Sequence, residues 1–369
     1  MKKRILTILP TLCFSIFILF CSVACLLTPD RSFSEYENRP LAQSPRFSLK
    51  ALAAGSFTSD YESYVTDQFF IRDRWVSLKA RTELLLGKTD VNGVFIGSDG
   101  FLCEKFPSPD PARLSLNTAA VKKFAQNAAV PVSFTLIPGS VYLWNDRLPS
   151  NAQNADQGEI IKRVYSELEC DFDTASVLAA HSSEEIFYLT DHHWTSLGAY
   201  YGYTAAAESM GLEPKALGEA FEVLEDFFGT ASSACGIEKV GDSVELYVKP
   251  SDALRVRFYE DGEWSDGSLY DYSADERKDK YTVFFGGNHP LTVIDTASEG
   301  GVLLMIKDSF ANAEIPFLCA HFSSIHVIDL RYYKASIADY IAQNGITQVL
   351  ISYSVANFST DTNLPALNR

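Results

Sequence analysis

The chain has 369 residues, of which 47% are hydrophobic and 21% are charged. This ordinary globular composition excludes a disordered or collagen-like chain and allows one large domain or two. The formal net charge is −16 and no long basic stretch is present, which argues against nucleic acid as a partner.

The first predicted element is an apolar helix. Three basic residues at positions 2–4 precede an uncharged run over residues 5–27, which is long enough to cross a hydrocarbon core of about 30 Å. Because basic flanks stay in the cytoplasm, we expect a single-pass cell-membrane protein whose later residues lie outside the cytoplasm. Secretion after signal cleavage near residues 22–24 is the alternative. Residues 1–30 are therefore interpreted as a membrane anchor or signal sequence.

Residues 31–110 are predicted to form a linker followed by a helical and hairpin region. Pro, Ser and Arg are frequent over residues 28–50, as in a linker. Apolar spacing over residues 59–86 predicts a helix that ends at Gly87. Residues 94–102 surround a Ser-Asp-Gly turn, which is typical of two short strands in a hairpin.

Residues 111–369 are predicted to form one α/β domain. Helical patterns over residues 119–129 and 159–169 enclose a buried strand over residues 130–137. This alternation indicates a mainly parallel sheet with helices on its faces. The rhythm breaks at residues 236–290, where short strand-like pieces over residues 243–248, 254–260 and 281–285 predict an antiparallel β insertion.

The rest of this domain continues in a βαβαβ order. Strands are predicted over residues 302–306, 325–328 and 348–353, with helices over residues 312–320 and 336–344. Ligands of open α/β sheets bind at the carboxyl ends of the strands. We therefore expect the residues that follow these strands to meet in one crevice.

Residues 188–195 read Tyr-Leu-Thr-Asp-His-His-Trp-Thr and are the most distinctive local sequence. If residues 191–193 are extended, Asp191 and His193 share one side and His192 lies on the other. An Asp beside one imidazole suits a general base, because it accepts from one ring nitrogen and leaves the other free to take a proton.

Ser309 is the best-placed nucleophile of the chain. It follows the apolar run over residues 302–306 and a polar turn, and a predicted helix comes next. Backbone N–H groups at the start of such a helix would stabilise an oxyanion during acyl transfer.

The segments Asp191-His192-His193-Trp194 and Lys307-Asp308-Ser309-Phe310 together resemble the family named for its Asp-His-His-Trp (DHHW) motif. That family is related to the SGNH-hydrolase-like proteins of alginate acetylation, and the resemblance covers most of the chain after the apolar run. It implies an SGNH-hydrolase-like three-layer α/β/α fold. It also implies Ser309 as nucleophile, His193 as base and Asp191 as the residue that orients His193.

The implied activity is O-acetyl transfer or acetyl-ester hydrolysis on an extracellular polysaccharide, usually beside a multipass membrane acyltransferase. One departure is Lys307, which stands where SGNH enzymes have Gly before Asp-Ser. Three further residues are candidates for binding substrate or an oxyanion. Asn357 loosely matches an oxyanion-hole Asn, Arg331 follows a predicted strand towards the crevice, and Trp194 is either a sugar platform or a core anchor.

Other interpretations stay open. Asp191, His192 and His193 could bind a divalent ion or form a structural pair, but neighbouring residues rarely face one ion, so no metal or other cofactor is predicted. The alternative to an enzyme is a non-catalytic module that binds a polysaccharide or scaffolds an assembly. Without the flank at positions 2–4, 28 basic groups face 47 acidic ones, which favours a neutral glycan.

Four cysteines follow the apolar run at wide spacing, and none of their spacings matches a zinc ribbon or a C-x-x-C motif. One disulfide is possible outside the cytoplasm, although isolated buried thiols are the commoner state. The sequence leaves the pairing open for Cys103, Cys170, Cys235 and Cys319.

Overall fold

The structure is a computed structural model that describes residues 2–34, 36–37, 39–169 and 173–369, with side chains from residue 8 onward. Contacts divide these residues into two compact units. The first contains the chain up to Lys88 together with Ser233–Ile237, and the second contains Thr89–Ser232 and Glu238–Arg369.

The first unit is mainly helical. Its elements are α1 (Lys2–Leu27), α2 (Leu49–Ala53), α3 (Ser56–Asp67), α4 (Arg72–Leu85) and the antiparallel strands β1 (Phe33–Ser34) and β2 (Arg39–Pro40). Within α1, Ile8–Leu27 has a mean hydropathy of 2.4 and is long and apolar enough to cross a membrane. The single helix predicted over residues 59–86 is wrong, because Ile71 has a left-handed φ of 48° and separates α3 from α4.

The second unit carries the main sheet. Its helices are α5 (Pro111–Asn127), α6 (Ser140–Leu143), α7 (Gln157–Leu168), α8 (Thr174–Ala180), α9 (Ser196–Ser209), α10 (Thr230–Cys235, whose last three residues belong to the first unit), α11 (Ile315–Leu318), α12 (Ile337–Gln343) and α13 (Val355–Thr360). Short 3₁₀ helices cover Ser98–Gly100, Asn145–Arg147, Tyr272–Glu276, Lys280–Val283, Ser309–Ala313 and Leu364–Asn368.

The strands of this unit form three sheets. They are β3 (Asp90–Val91), β4 (Val94–Ile96), β5 (Leu102–Glu104), β6 (Val132–Ile137), β7 (Glu222–Phe227), β8 (Asp242–Leu246), β9 (Arg255–Glu260), β10 (Glu263–Gly267), β11 (Leu291–Asp295), β12 (Val302–Lys307), β13 (Ser324–Ile328) and β14 (Gln348–Ser354). Strands β3, β4 and β5 form one antiparallel sheet, which includes the predicted hairpin, and β7 pairs with β8.

The main sheet has seven strands in the order β10-β9-β11-β13-β12-β14-β6. The pairs β13–β12, β12–β14 and β14–β6 are parallel, whereas β10–β9, β9–β11 and β11–β13 are antiparallel. The predicted α/β class is confirmed, but the sheet is mixed rather than mainly parallel. The reason is that strands from the segment predicted as an insertion, β9 and β10, extend the main sheet through β11.

The central strands of the main sheet lie in the hydrophobic core. Strands β12, β13 and β14 are almost completely buried, as expected for segments that consist mainly of apolar residues. The predicted strand over residues 281–285 is wrong, since Lys280–Val283 is a 3₁₀ helix. Tyr281 instead turns its hydroxyl towards the loop after β12 and donates to the carbonyl of Phe310 at 2.9 Å.

Among the cysteines after α1, Cys103, Cys235 and Cys319 are buried, and Cys103 and Cys319 are free thiols. Cys170 lies outside the described residues, so the prediction about its pairing stays a prediction.

Candidate active site

The turn after β12 holds Ser309 at the carboxyl end of a central strand. The Asp308 carboxylate fixes this turn: Oδ1 accepts from the Phe310 backbone N–H at 3.0 Å. Its Oδ2 accepts from the Ser354 backbone N–H at 2.9 Å and from the Ser354 hydroxyl at 2.7 Å. The turn is thereby tied to the end of β14, and Ser309 remains partly exposed.

The helix predicted after Ser309 is shorter than expected. A 3₁₀ helix covers Ser309–Ala313 and α11 covers only Ile315–Leu318, so a strong helix dipole is lacking here. The Ser309 backbone N–H has no hydrogen-bond acceptor in the part of the chain that the structure describes. This group is therefore free to donate to a ligand oxygen.

The strand end does not need the Gly that Lys307 replaces. Lys307 is the last residue of β12 and lies outside the left-handed region. Its buried Nζ donates to Asn288 Oδ1 at 2.7 Å and lies 3.9 Å from Asp329 Oδ2. Burial lowers the pKa of this ammonium to about 8 despite the nearby Asp329 carboxylate.

Asp191 and His193 come together through a tight bend rather than an extended strand. Asp191 Oδ1 accepts from the His193 backbone N–H at 2.9 Å and from its ring Nδ1 at 2.6 Å. The first of these bonds is the Asx pattern, in which an Asp side chain bonds the backbone two residues on. From the sequence, an extended strand with alternating side chains predicts this same pair. The pair is correct, although a tight bend brings the two residues together.

His193 links this carboxylate to the serine. Because an ionised carboxylate can only accept, Nδ1 carries the proton and Nε2 is left as the acceptor. His193 Nε2 lies 2.8 Å from Ser309 Oγ. Ser309, His193 and Asp191 therefore form a continuous hydrogen-bonded row.

Burial and neighbouring charges control the ionisation of this row. Burial opposes ionisation of Asp191, but the imidazoles of His192 and His193 outweigh it and hold the pKa of Asp191 well below its usual range. Burial and the charge of His192 lower the pKa of His193 to about 4, although Asp191 acts in the opposite direction. At neutral pH the row contains an anionic Asp191 and a neutral His193.

Two residues that sequence reasoning missed hold the row in place. Thr230 donates to Asp191 Oδ2 from its backbone N–H at 2.7 Å and from its hydroxyl at 2.9 Å. The Tyr281 ring stacks on His193 with ring centroids 3.8 Å apart. The one proton of its hydroxyl is shared between the carbonyls of Phe310 at 2.9 Å and Ser309 at 3.0 Å. Neither residue lies in a recognisable motif, so the sequence carried no signal for them.

A cavity of about 290 Å³ lies beside the row. Its lining includes His192 and Phe310, which are the chain neighbours of His193 and Ser309, together with Glu104, Gln157 and Asn357. A larger groove of about 610 Å³ lies along α5 and β6. Ser309, His193 and Asp191 themselves are in neither lining, and of the two only the smaller cavity includes their chain neighbours.

The three further candidate residues have different outcomes. Asn357 lines the cavity and donates from Nδ2 to Asp308 Oδ2 at 2.8 Å. Arg331 is not part of the cavity lining, because its guanidinium is paired with Asp329 through Nη2 at 2.5 Å and Nε at 2.9 Å. The Arg331 side chain is 36% exposed, and the expectation that it binds substrate in the crevice stays a prediction.

Trp194 is a core anchor. Its side chain is 0% exposed and its Nε1 donates to the Phe310 carbonyl at 2.8 Å. A Cβ atom at Gly202 would meet its ring at 2.4 Å, so a glycine there makes room for the indole. A buried ring cannot stack on a sugar, and the platform interpretation is wrong.

The ligand atoms of Asp191, His192 and His193 lie within 4.8 Å of one another, which meets the spacing of a metal group. However, the Asp191–His193 contact is a direct hydrogen bond of 2.6 Å. The proton that His193 Nδ1 donates in this bond occupies the lone pair that a metal ion would need. The arrangement fits a hydrogen-bonded row better than a metal centre.

The chain is similar to several known proteins. A family model described as DHHW protein matches residues 116–328. A DHHW family protein from Eubacterium siraeum is similar in structure, with 26% identity, coverage of 75% of this chain and 95% of the other, and a TM-score of 0.66. Bacillus cereus PatB1 with a sulfonyl adduct is similar at 21% identity, with coverage of 75% and 98% and a TM-score of 0.60.

A more remote match is the O-acetyltransferase domain of Pseudomonas putida AlgJ, at 14% identity, with coverage of 73% of this chain and 93% of the other and a TM-score of 0.46. Comparison with curated proteins finds no significant relative.

Proposed function

The chain belongs to the DHHW protein family, and from this premise we propose that it is an O-acetyltransferase or acetylesterase acting on a cell-surface polysaccharide. The observation that carries the proposal is the hydrogen-bonded row, with distances of 2.8 Å between His193 and Ser309 and 2.6 Å between His193 and Asp191. The cavity beside it supplies room for a substrate.

In this mechanism Ser309 Oγ attacks the carbonyl carbon of an acetyl ester. His193 Nε2 takes the hydroxyl proton and passes it to the leaving alcohol, while Asp191 keeps the ring in the correct tautomer. The acetyl group then passes from Ser309 to a sugar hydroxyl or to water. The free Ser309 N–H supports the developing oxyanion, and Asn357, which has a second amide N–H, is proposed as a further donor.

We further propose that α1 anchors the protein in the cell membrane, with residues after it outside the cytoplasm. The proposed organisation keeps residues 1–30 as anchor, residues 31–110 as linker with helices and hairpin, and residues 111–369 as an SGNH-like three-layer domain with an insertion near residues 236–290. A multipass membrane acyltransferase is the proposed source of acetyl groups. A neutral glycan is the preferred acceptor, given the acidic charge of the chain.

The direct test is hydrolysis of p-nitrophenyl acetate. Ser309→Ala and His193→Ala should each lower kcat/KM at least a thousandfold while the thermal midpoint stays close to that of the wild type. Persistence of activity in Ser309→Ala would refute the serine mechanism.

Covalent labelling gives a second measurement. A sulfonyl fluoride should form an adduct on Ser309, as the adduct on PatB1 suggests, and His193→Ala should slow this labelling. A wild-type protein that is neither labelled nor active would favour the non-catalytic polysaccharide-binding module.

A further inference from the structure

His192 is the motif residue that the proposed mechanism does not use. Its side chain is 31% exposed, against 8% for His193, and it lines the cavity beside Ser309. The two imidazole rings are adjacent, with centroids 4.0 Å apart. A group bound to His192 therefore lies next to a group bound to His193.

One nitrogen of His192 is fixed by the protein. Nδ1 lies 2.6 Å from the Thr230 hydroxyl, which itself lies 2.9 Å from Asp191 Oδ2. Because a hydroxyl has one proton and the carboxylate takes it, Thr230 Oγ accepts from His192 Nδ1–H. The other nitrogen, Nε2, has no hydrogen-bond partner among the described residues.

The cavity has a largely apolar lining with a few polar side chains, which suits a sugar ring because such a ring presents both C–H and hydroxyl groups. Polar side chains of Glu104, Gln157 and Asn357 stand beside the apolar Phe106 and Phe310. Its volume of about 290 Å³ is at the lower end of the range of about 300–1,000 Å³ for small-ligand sites. A cavity of this size and polarity fits one ring with several hydroxyl groups.

We propose that His192 Nε2 binds the hydroxyl adjacent to the one that is acetylated, so that the acceptor is a sugar with vicinal hydroxyl groups. The inference rests on the proposed function. One acceptor hydroxyl gives its proton to His193 Nε2 and its oxygen attacks the acetyl carbonyl, so the bond to Ser309 Oγ breaks and Ser309 regains a proton from His193. The neighbouring hydroxyl stays on His192, which orients the ring and favours sugar over water.

This bond does not depend on one protonation state. A hydroxyl both donates and accepts, so it pairs with neutral Nε2 as a donor and with protonated Nε2–H as an acceptor. The residues that face His192 are Asp191, Thr230 and Glu104, with the rings of His193 and Phe310 beside it.

The test compares two acceptors that differ in one hydroxyl group. With p-nitrophenyl acetate as donor, acetyl transfer to trans-1,2-cyclohexanediol and to cyclohexanol is measured by chromatography, together with hydrolysis. For the wild type we expect the diol to be preferred about tenfold, as one substrate hydrogen bond provides. A preference of about twofold, which two equivalent hydroxyls give without any recognition, would overturn the proposal before any variant is made.

Two substitutions separate the nitrogens of His192. His192→Asn places a polar atom near the position of Nδ1, so it keeps the bond to Thr230 and removes Nε2; it should reduce the diol preference to about twofold. His192→Gln reaches towards the position of Nε2 and should retain part of the preference. A merely structural role predicts the opposite order, because Gln loses the bond to Thr230.

His181→Asn is the matched control, since His181 pairs with Glu184 and lines no part of the cavity; it should leave the preference unchanged. If the wild type shows no Ser309-dependent transfer or hydrolysis, the proposed function fails and the inference with it. If transfer depends on Ser309 but the diol preference is the same in His192→Asn, the inference alone fails.

Discussion

Asp191 has no spare hydrogen-bonding capacity. Two donors of His193 occupy Oδ1 and two donors of Thr230 occupy Oδ2, while the side chain is only 1% exposed. A buried carboxylate with four donors is fixed in one orientation. The tautomer of His193 therefore follows from the surroundings of Asp191.

Gly229 keeps the space for this carboxylate. A Cβ atom there would lie 2.2 Å from the Asp191 Cβ and 2.4 Å from its Oδ2. We predict that Gly229→Ala displaces Asp191 and lowers kcat/KM on an acetyl ester by about a hundredfold, since a shift near 1 Å is enough for such a loss. Gly218→Ala is the control, because a Cβ at Gly218 meets nothing within 4 Å. Equal activity of the two variants would contradict this prediction.

The pH profile should reflect the buried imidazole. His193 acts as a base only when neutral, and burial together with the charge of His192 lowers its pKa from 6.5 to about 4. As pH falls, kcat/KM should therefore stay level through pH 6.5 and drop only as the pH approaches 4. The background activity of Ser309→Ala is subtracted first. If kcat/KM then falls to half near pH 6.5, the pKa of His193 is not lowered by its surroundings and the prediction is wrong.

The sequence identified the residues of the row but not their supports. The row consists of residues in short motifs, and their residue types indicate acid–base and nucleophilic chemistry: Ser309, His193 and Asp191. Thr230, Gly229 and Tyr281 act through position alone, and nothing in their local sequence distinguishes them from other loop residues. The pairing of Arg331 with Asp329 was not predicted for a related reason, because Asp329 is one acidic residue among many and lies in no motif.

At the scale of elements, the Asp308 carboxylate joins the loop after β12 to the start of α13. Its Oδ2 accepts from the Ser354 backbone N–H, the Ser354 hydroxyl and the Asn357 amide. The parallel pairing of β12 with β14 brings these loops to the same edge of the sheet. The position of Ser309 thus depends on a strand that is distant in sequence.

Asp308→Ala should destabilise the protein by about 3 kcal/mol, because buried donors at Ser354 would lose their acceptor. The measurement is chemical unfolding monitored by circular dichroism. Asp266→Ala, an exposed position on β10, should change the free energy of unfolding by less than about 0.5 kcal/mol. If the two variants have similar free energies of unfolding, the hydrogen bonds of Asp308 contribute little to stability.

Buried strands could be predicted from the sequence where apolar residues dominated a segment. The apolar-rich segments at β12, β13 and β14 predicted buried strands, and the observed bounds differ from the predicted ones by one residue at most. Residues 281–285 carry a similar pattern, yet Tyr281 and Phe284 are buried from a 3₁₀ turn. The strands β10 and β11 were not predicted. In the case of β10 the sequence is polar and the strand is exposed at a sheet edge, so its extended conformation depends on pairing with β9.

At the scale of the whole molecule, the acidic charge is unevenly distributed. Residues 28–88 contain nine Lys and Arg against eight Asp and Glu, whereas residues 89–369 contain 19 against 39. The sequence that follows the apolar helix is therefore almost neutral, and the part that carries the candidate site is strongly anionic.

Membrane anchoring by α1 is testable in the full chain. Wild-type protein should stay in the membrane pellet after an alkaline carbonate wash, whereas Ile16→Asp with Leu19→Asp should not, because each acid near the centre of a span costs about 2.5–3.5 kcal/mol. The substitutions Asp60→Asn and Glu62→Gln, outside the apolar run, serve as the control. A mature N-terminus after residue 24 would instead indicate a cleaved signal.

The order of the strands also has a consequence for biosynthesis. In the main sheet β6 is an edge strand, and its one neighbour among the described residues is β14; residues 138–347 separate the two strands in the chain. During synthesis β6 emerges early and is unpaired until β14 arrives, which makes closure of the sheet slow and exposes the nascent chain to aggregation. Because β14 also brings Ser354 to Asp308, the loop that holds Ser309 is completed only at this late step, and a chain that lacks β14 has no finished candidate site.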